Sequence, residues 1–345
     1  MLTFIKTVFI FFTLAFILNI FEEINFFKDL DVSIGVPIFL TFLNIPSILF
    51  EIFPFIFLIT TQFFFIKLIE QNENISFKNF GLSNTKIIRL LAILSFLVGV
   101  IIVTIFYNLS SNLKNIYLEL KSNYTSDGKY LAVITNNGLW IKDEIDEKIL
   151  IINASKVENN FLINSFITEF DKDFRVKRNI QSSKIDISKK TWVIFEADVI
   201  NKNNYEKVQE LNLKTNFDFK RIQTLYSNLS SLNFYQLYEL RENYIKLNYS
   251  ITEINLQILK LIVYPIYLLL ITIFSSIIML KFKQLDGNTI KIAIGLFFSV
   301  IIYYFNNFSL VLGSTERIPE IISIFLPLII IATVNSIMIY KINEK

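Results

Sequence analysis

The feature that most constrains this chain is a polar block, residues 108–250, set between two long apolar stretches. Of the 33 Lys/Arg and 30 Asp/Glu in the 345-residue sequence, 20 and 18 fall inside the block. Several of the flanking runs are uncharged over the roughly 18 to 20 residues that cross a bilayer's hydrocarbon core. The layout predicts two membrane halves with one water-soluble domain inserted between them. Residues 1–107 carry spans one to three and a short loop at 69–89, residues 108–250 form the inserted domain, and residues 251–345 carry spans four to six.

The first apolar run, Leu2 to Phe21, ends in the bulky and then acidic Leu18-Asn19-Ile20-Phe21-Glu22-Glu23. A cleavable signal peptide needs small residues there, so the run is expected to be a retained span. Glu22 to Asp31 is expected to be a loop. Val32 to Leu68 is apolar but holds Pro37, Pro46 and Pro54. It is too short for two spans and long for one. The expected solution is an interfacial helix around Pro37 to Asn44, a break at Pro46, and one span from about Ser47 to Leu68. Pro54 inside that span frees a carbonyl that must find another donor, so the helix should bend and pack against others. The remaining spans are Leu90 to Tyr107, Leu261 to Leu280, Ile292 to Gly313 and Ile321 to Tyr340.

Orientation follows from Lys and Arg in the short loops. Lys67, Lys78, Lys86 and Arg89 flank one loop, Lys281, Lys283 and Lys291 another, and Lys341 and Lys345 close the tail; the opposite loops have only Lys28 and Arg317. Both termini are expected to be cytoplasmic and the polar block outside.

Within the block, Tyr130 to Ile134, Leu139 to Lys142, Lys148 to Ile152, Phe161 to Phe170, Phe174 to Ile180, Ile185 to Ile187 and Thr191 to Ile200 are short strand-like runs. Asn136-Asn137-Gly138, Asp171-Lys172-Asp173 and Asn201 to Asn204 supply the turns. This spacing predicts an all-β sandwich or jelly roll. The pattern becomes helical from Leu225 to Glu253.

The chain has no cysteine and no histidine, which removes disulfides, thiolate metal sites and the commonest general base. None of the eight glycines makes a phosphate-binding loop, and the formal charge of +3 gives no nucleic-acid surface. No catalytic or metal-ligating residue is assigned. Paired carboxylates such as Glu22/Glu23 and Asp171/Asp173 are expected to be solvated loop residues. Glu51 differs, because a carboxylate within a span is costly. It is either a pathway or subunit-contact residue or a protonated or hydrogen-bonded structural glutamate near a span end. The loop from Glu70 to Arg89 has an amphipathic centre, with Ile75, Phe77 and Phe80 offering apolar contacts, Glu73 at a candidate helix start, and Gly81 as its stop. It is either an interfacial loop or a coupling helix that docks on a cytoplasmic protein.

Gly138-Leu-Trp-Ile-Lys-Asp143, Lys148-Ile-Leu-Ile-Ile-Asn153, Phe170-Asp171, Phe174-Arg175 and Trp192 together resemble the periplasmic domain of the LptF/LptG permeases of the lipopolysaccharide-export ABC transporter. The likeness extends to Pro46 through Glu51-Ile-Phe-Pro54, to Glu73 eight residues before Gly81, and to Ile318-Pro319. The Glu51 to Pro54 segment and the C-terminal stretch resemble LptG more than LptF. The resemblance implies a polytopic α-helical protein of the bacterial inner membrane with six transmembrane helices and an inserted periplasmic β-jelly-roll domain. It implies a permease subunit that extracts lipopolysaccharide and passes it to a periplasmic bridge, is not itself an enzyme, and binds no cofactor because a partner uses the ATP. Its implied partners are a sibling permease, a cytoplasmic ATPase dimer that meets Glu73, Phe77, Phe80 and Gly81, and a single-span partner of LptC type at a gate bordered by spans one and five.

The chain departs from the family pattern at the cations expected to face lipid phosphates. The outer end of span one reads Asn19, Glu22, Glu23, Asn25 and Phe26, with Lys28 the nearest cation. The lysine expected four residues before the proline of span four is Leu261, with Lys260 one place off, about 100° round the helix. The cavity and gate candidates are therefore Glu22, Lys28 and Lys260. The departure implies a less phosphorylated lipid head or cations supplied by the sibling. The alternative function is a membrane-anchored periplasmic binding or scaffold protein without transport activity.

Overall fold

The computed structural model describes residues 2–71, 83–122, 124, 139–145, 148–158, 160–201, 204–219, 222, 228–246, 249–281 and 287–343. The chain divides into two compact units, one of residues Met1–Lys114 and Ile251–Lys345, the other Asn115–Ser250.

The first unit is helical. Its elements are α1 (Leu2–Phe26), α2 (Gly35–Glu70), α3 (Asn84–Ile101), a π-helical segment (Ile102–Phe106) that leads into α4 (Tyr107–Ser122), α6 (Thr252–Lys281), α7 (Asn288–Ser314) and α8 (Glu320–Asn343). Six helices among the described residues are long and apolar enough to cross a membrane, with Asn84 to Ser122 counted as one. α2 and α6 form the centre: Leu58 and Ile59 pack with Val263, Tyr267 and Ile271, and Ile324, Leu328 and Ile331 of α8 complete the cluster. A second cluster joins Phe65 of α2, Ile88 of α3, and Ile277 and Met279 of α6.

Hydrocarbon offers no hydrophobic drive between helices, so close backbone approach and interhelical hydrogen bonds carry the association. Both are present. A Cβ on Gly99 of α3 would stand 2.9 Å from the Pro265 Cα of α6. Gln62 of α2 lies across Gly295 of α7 and donates to the Lys291 carbonyl at 3.2 Å. Ser309 and Ser323 donate to each other's carbonyls at 2.7 Å, Ser275 donates to the Leu58 carbonyl at 2.9 Å, and Asn335 to the Leu270 carbonyl at 3.0 Å.

Three boundaries differ from expectation. α2 is one continuous helix of 36 residues through Pro46 and Pro54, with no break. Pro37 is harmless in the first turn, where N–H groups have no intrahelical partner. An interior proline costs about 3 kcal/mol, and here Leu40, Thr41, Ile45, Leu49 and Phe50 are all buried around Pro46, so packing offsets it. At 1.5 Å per residue the helix is about 54 Å long and outruns a core of about 30 Å. α1 runs through Glu22 and Glu23 to Phe26, so these carboxylates are helical rather than looped; Glu23 is fully buried, while Glu22 is exposed. The third span continues past Tyr107 as the more polar α4 instead of ending there.

The second unit is a six-stranded antiparallel sheet with strands in sequence order: β1 (Leu139–Ile145), β2 (Lys148–Glu158), β3 (Phe161–Phe170), β4 (Val176–Asp186), β5 (Thr191–Asn201) and β6 (Asn204–Lys214). The expected runs 174–180 and 185–187 are a single strand, and β6 was not expected at all. Alternation, with its phase shifted at the positive-φ residues Asn164 and Glu196, buries residues including Ile152, Leu162, Ile167, Ile180, Trp192 and Ile194, each at 0% exposure. A short 3-10 turn (Leu229–Ser231) precedes α5 (Phe234–Lys246), which buries Leu237 and Leu240. One link ties β1 to the segment that follows β6. Asp143 of β1 accepts from the Asn216 backbone N at 2.9 Å and from its Nδ2 at 2.7 Å, just beyond β6. The Tyr249 hydroxyl both accepts from the Lys142 N–H and donates to the Lys142 carbonyl, each at 2.9 Å, and burial pushes that hydroxyl up to about 12. Asp171 makes the expected turn by accepting from the N–H groups of Asp173 and Arg175. Tyr130 to Ile134 and the Asn136–Gly138 turn lie outside the described residues.

Candidate functional site

The helical unit encloses a cavity of about 220 Å³ between α2, α6, α7 and α8. α2 contributes Phe50, Glu51 and Pro54; α6 contributes Lys260, Val263, Tyr264 and Tyr267. The α7 wall is Tyr303, Asn306, Asn307 and Leu310, and α8 closes it with Ile324 and Leu328. Seven of these side chains are polar or charged, although all four helices are strongly apolar.

The wall is shaped by the prolines. Pro54 has no N–H to give the Phe50 carbonyl four residues earlier. The Tyr264 hydroxyl donates to that carbonyl at 2.5 Å. The Phe50 and Tyr264 rings stack at 4.7 Å with planes 16° apart, and Tyr107 adds a third ring 5.0 Å from Phe50. Glu51, next to Phe50 in sequence, lies on the cavity wall with Phe50 and Pro54.

Glu51 and Lys260, which the sequence marks for separate reasons, share this cavity. Glu51 also lies within electrostatic reach of Lys114, and Lys114 of Lys260. Among the described residues neither Glu51 nor Lys260 closes into an ion pair or side-chain hydrogen bond. Leu261 is fully buried, whereas Lys260 beside it lines the wall.

Glu22 and Lys28 are exposed at and just past the end of α1, and neither lines the cavity. Glu73, Phe77, Phe80 and Gly81 lie outside the described residues. Tyr264, Tyr303, Asn306, Asn307 and Lys114 were missed by sequence reasoning. The run Tyr303-Tyr304-Phe305-Asn306-Asn307 was a usable signal, because two adjacent asparagines inside a span carry a desolvation cost similar in kind to that of Glu51.

A family model described as "Lipopolysaccharide export system permease LptF/LptG" matches residues 1–341. The chain belongs to the LptF/LptG family. It is a permease of the lipopolysaccharide-export ABC transporter, and its six apolar helices with an inserted β sheet fit a multi-pass membrane protein. No match was found among curated proteins. The family match covers both membrane halves and the β unit, and it supports the transport function over a scaffold without transport activity.

Proposed function

We propose that this LptF/LptG permease is one of two subunits, the one of LptG type, that together enclose lipopolysaccharide in the bacterial inner membrane. The observation that carries this reading is the polar, charged cavity inside an otherwise apolar bundle. Sites for drug-sized ligands run to about 300–1,000 Å³, so a cavity of about 220 Å³ holds a piece of a lipid head and leaves the rest of a multi-acyl lipid to a second wall. The sibling permease supplies that wall. Glu51 and Lys260 face the lipid head, with Glu22 and Lys28 nearer the outer end of α1.

Both termini are cytoplasmic and the β unit is periplasmic, on the strength of the Lys/Arg distribution. The β unit hands lipid to a periplasmic bridge. Only 17% of the apolar windows of α1 and α7 is buried, against 61% for α2 and 78% for α6. That supports α1 and α7 as the borders of a lateral gate where a single-span partner of LptC type inserts. Extraction opposes the hydrophobic effect at about 0.8 kcal/mol per methylene, so the chain needs an energy source it does not itself contain. A cytoplasmic ATPase dimer provides it, using ATP and engaging Glu73, Phe77, Phe80 and Gly81. The permease itself is non-catalytic and takes no cofactor or metal.

The test is co-purification of the detergent-solubilised chain, co-expressed with its candidate ATPase and sibling, comparing wild type with Glu73→Arg. Wild type should retain both partners and the variant should lose the ATPase. Retention in both removes Glu73 from the coupling site, and no partner with wild type refutes the two-subunit reading.

A further inference from the structure

A wall built only to grip a phosphate-rich head would carry cations and neutral donors, because charge-assisted hydrogen bonds to phosphate are the strong ones. This wall carries Lys260 and also a carboxylate, Glu51. A carboxylate in a span is expensive, and glutamine has almost the same shape without the charge. The charge itself therefore needs a reason. An internal ion pair is not that reason, since among the described residues Glu51 has no ion-pair or hydrogen-bond partner. Its field reaches Lys260 and Lys114. Taken as one carboxylate and two ammonium groups, the three sum to one net positive charge, and the polar groups that the α7 wall adds are the neutral Tyr303, Asn306 and Asn307, whose hydroxyl and amides suit sugar hydroxyls.

We propose that Glu51 is a charge-selectivity residue of the lipid site, letting Lys260 hold a single anionic group on a saccharide lipid head and rejecting a head that brings a second one into the cavity. The carboxylate offsets one of the two cations, so the first anion is balanced and the next meets a like charge. In such partly dry surroundings a repelled unit charge several ångströms away shifts affinity by about tenfold or more. This assignment rests on the reading that the cavity contacts the lipid head.

The experiment measures binding of monophosphoryl and bisphosphoryl disaccharide lipids of the same acyl pattern. The protein is the full chain in detergent, with whatever subunits co-purify. Wild type should prefer the monophosphoryl lipid. Glu51→Gln should raise affinity for the bisphosphoryl lipid about tenfold and change the monophosphoryl lipid by less than about threefold. Asn307→Asp adds a carboxylate to the same wall and should sharpen the preference, which keeps the test alive if Glu51→Gln does not fold. Lys260→Gln should weaken both lipids. If Lys260→Gln weakens binding but Glu51→Gln and Asn307→Asp leave the ratio unchanged, the cavity is the head site and Glu51 does not select. If all three variants bind both lipids as wild type does, the cavity is not the head site, and the reading beneath the proposal falls with it.

Discussion

Tyr264→Phe is the sharpest probe of how α2 is held at Pro54. The substitution keeps the ring that stacks on Phe50 at 4.7 Å and deletes only the hydroxyl that donates to the Phe50 carbonyl. Phe50 is 6% exposed and Tyr264 4%, so both groups are largely withdrawn from bulk solvent. The carbonyl is already without its helical donor because of Pro54. Leaving it unpartnered should cost about 1–3 kcal/mol, the usual penalty for a buried unsatisfied group. Pro54→Ala restores an N–H to the same carbonyl, so in that background Tyr264→Phe should cost under about 1 kcal/mol. The double-mutant cycle should therefore show a coupling of about 1–2 kcal/mol. The assay is denaturation in mixed micelles followed by helical circular dichroism, with all four proteins under one lipid-to-detergent ratio. A Tyr264→Phe variant as stable as wild type would refute the argument. So would an equal loss in both backgrounds, since it would place the hydroxyl's contribution elsewhere.

Two further outcomes follow from packing and charge. Gly99→Ala should lower stability in the same assay by about 1–3 kcal/mol, because the added methyl would stand 2.9 Å from the Pro265 Cα, a backbone atom that cannot swing away; wild-type stability would show that α3 and α6 are not in close contact. In the β unit, Glu169 is 3% exposed and is held below its ordinary value: burial acts to raise it, but the hydrogen bonds and charges of Lys148 at 3.0 Å and Arg178 at 2.7 Å outweigh this. A depressed carboxylate contributes stability that is present above its unfolded value of about 4.3 and is lost as pH falls through the lower folded value. Glu169→Gln should flatten the acid side of the stability profile below about pH 5. Both tryptophans, Trp140 and Trp192, lie in this unit, so intrinsic fluorescence reads its unfolding in the full chain. An unchanged acid limb would show that the ion cluster contributes nothing.

Apolar length was enough to locate the membrane spans, since a run such as Leu261 to Leu280 has few other destinations. It was not enough to end them. The break expected at Pro46 failed because the cost of a proline is local, whereas the burial of Leu40, Ile45 and Leu49 that offsets it depends on neighbours far along the chain. β6 was illegible because most of Asn204 to Lys214 faces water; only Leu213 is buried, so the strand shows no apolar alternation. The site divides in the same way. Glu51 stood out because a charge in a span is rare. Lys260 stood out only by likeness, and its side of the helix could not be read, since the phase of α6 relative to α2 is set by packing around Pro265. Lys114 gave no signal, because it sits in the polar stretch of α4 that sequence assigns to the soluble domain.

The π-helical segment at Ile102–Phe106 amounts to one surplus residue in an otherwise regular helix. Everything after it is rotated relative to everything before it. Tyr107, whose ring meets Phe50, and Lys114, whose charge meets Glu51, both lie downstream. The wide turn absorbs that residue, so a regular helix of the same length would carry both groups about 100° further round. Hydropathy would register nothing, yet the Tyr107 ring would leave Phe50 and the Lys114 charge would leave Glu51 together. In evolutionary terms, losing the surplus residue and its wide turn together keeps both groups in place, whereas an insertion or deletion in the regular turns that lead on to Lys114 would swing that cation away.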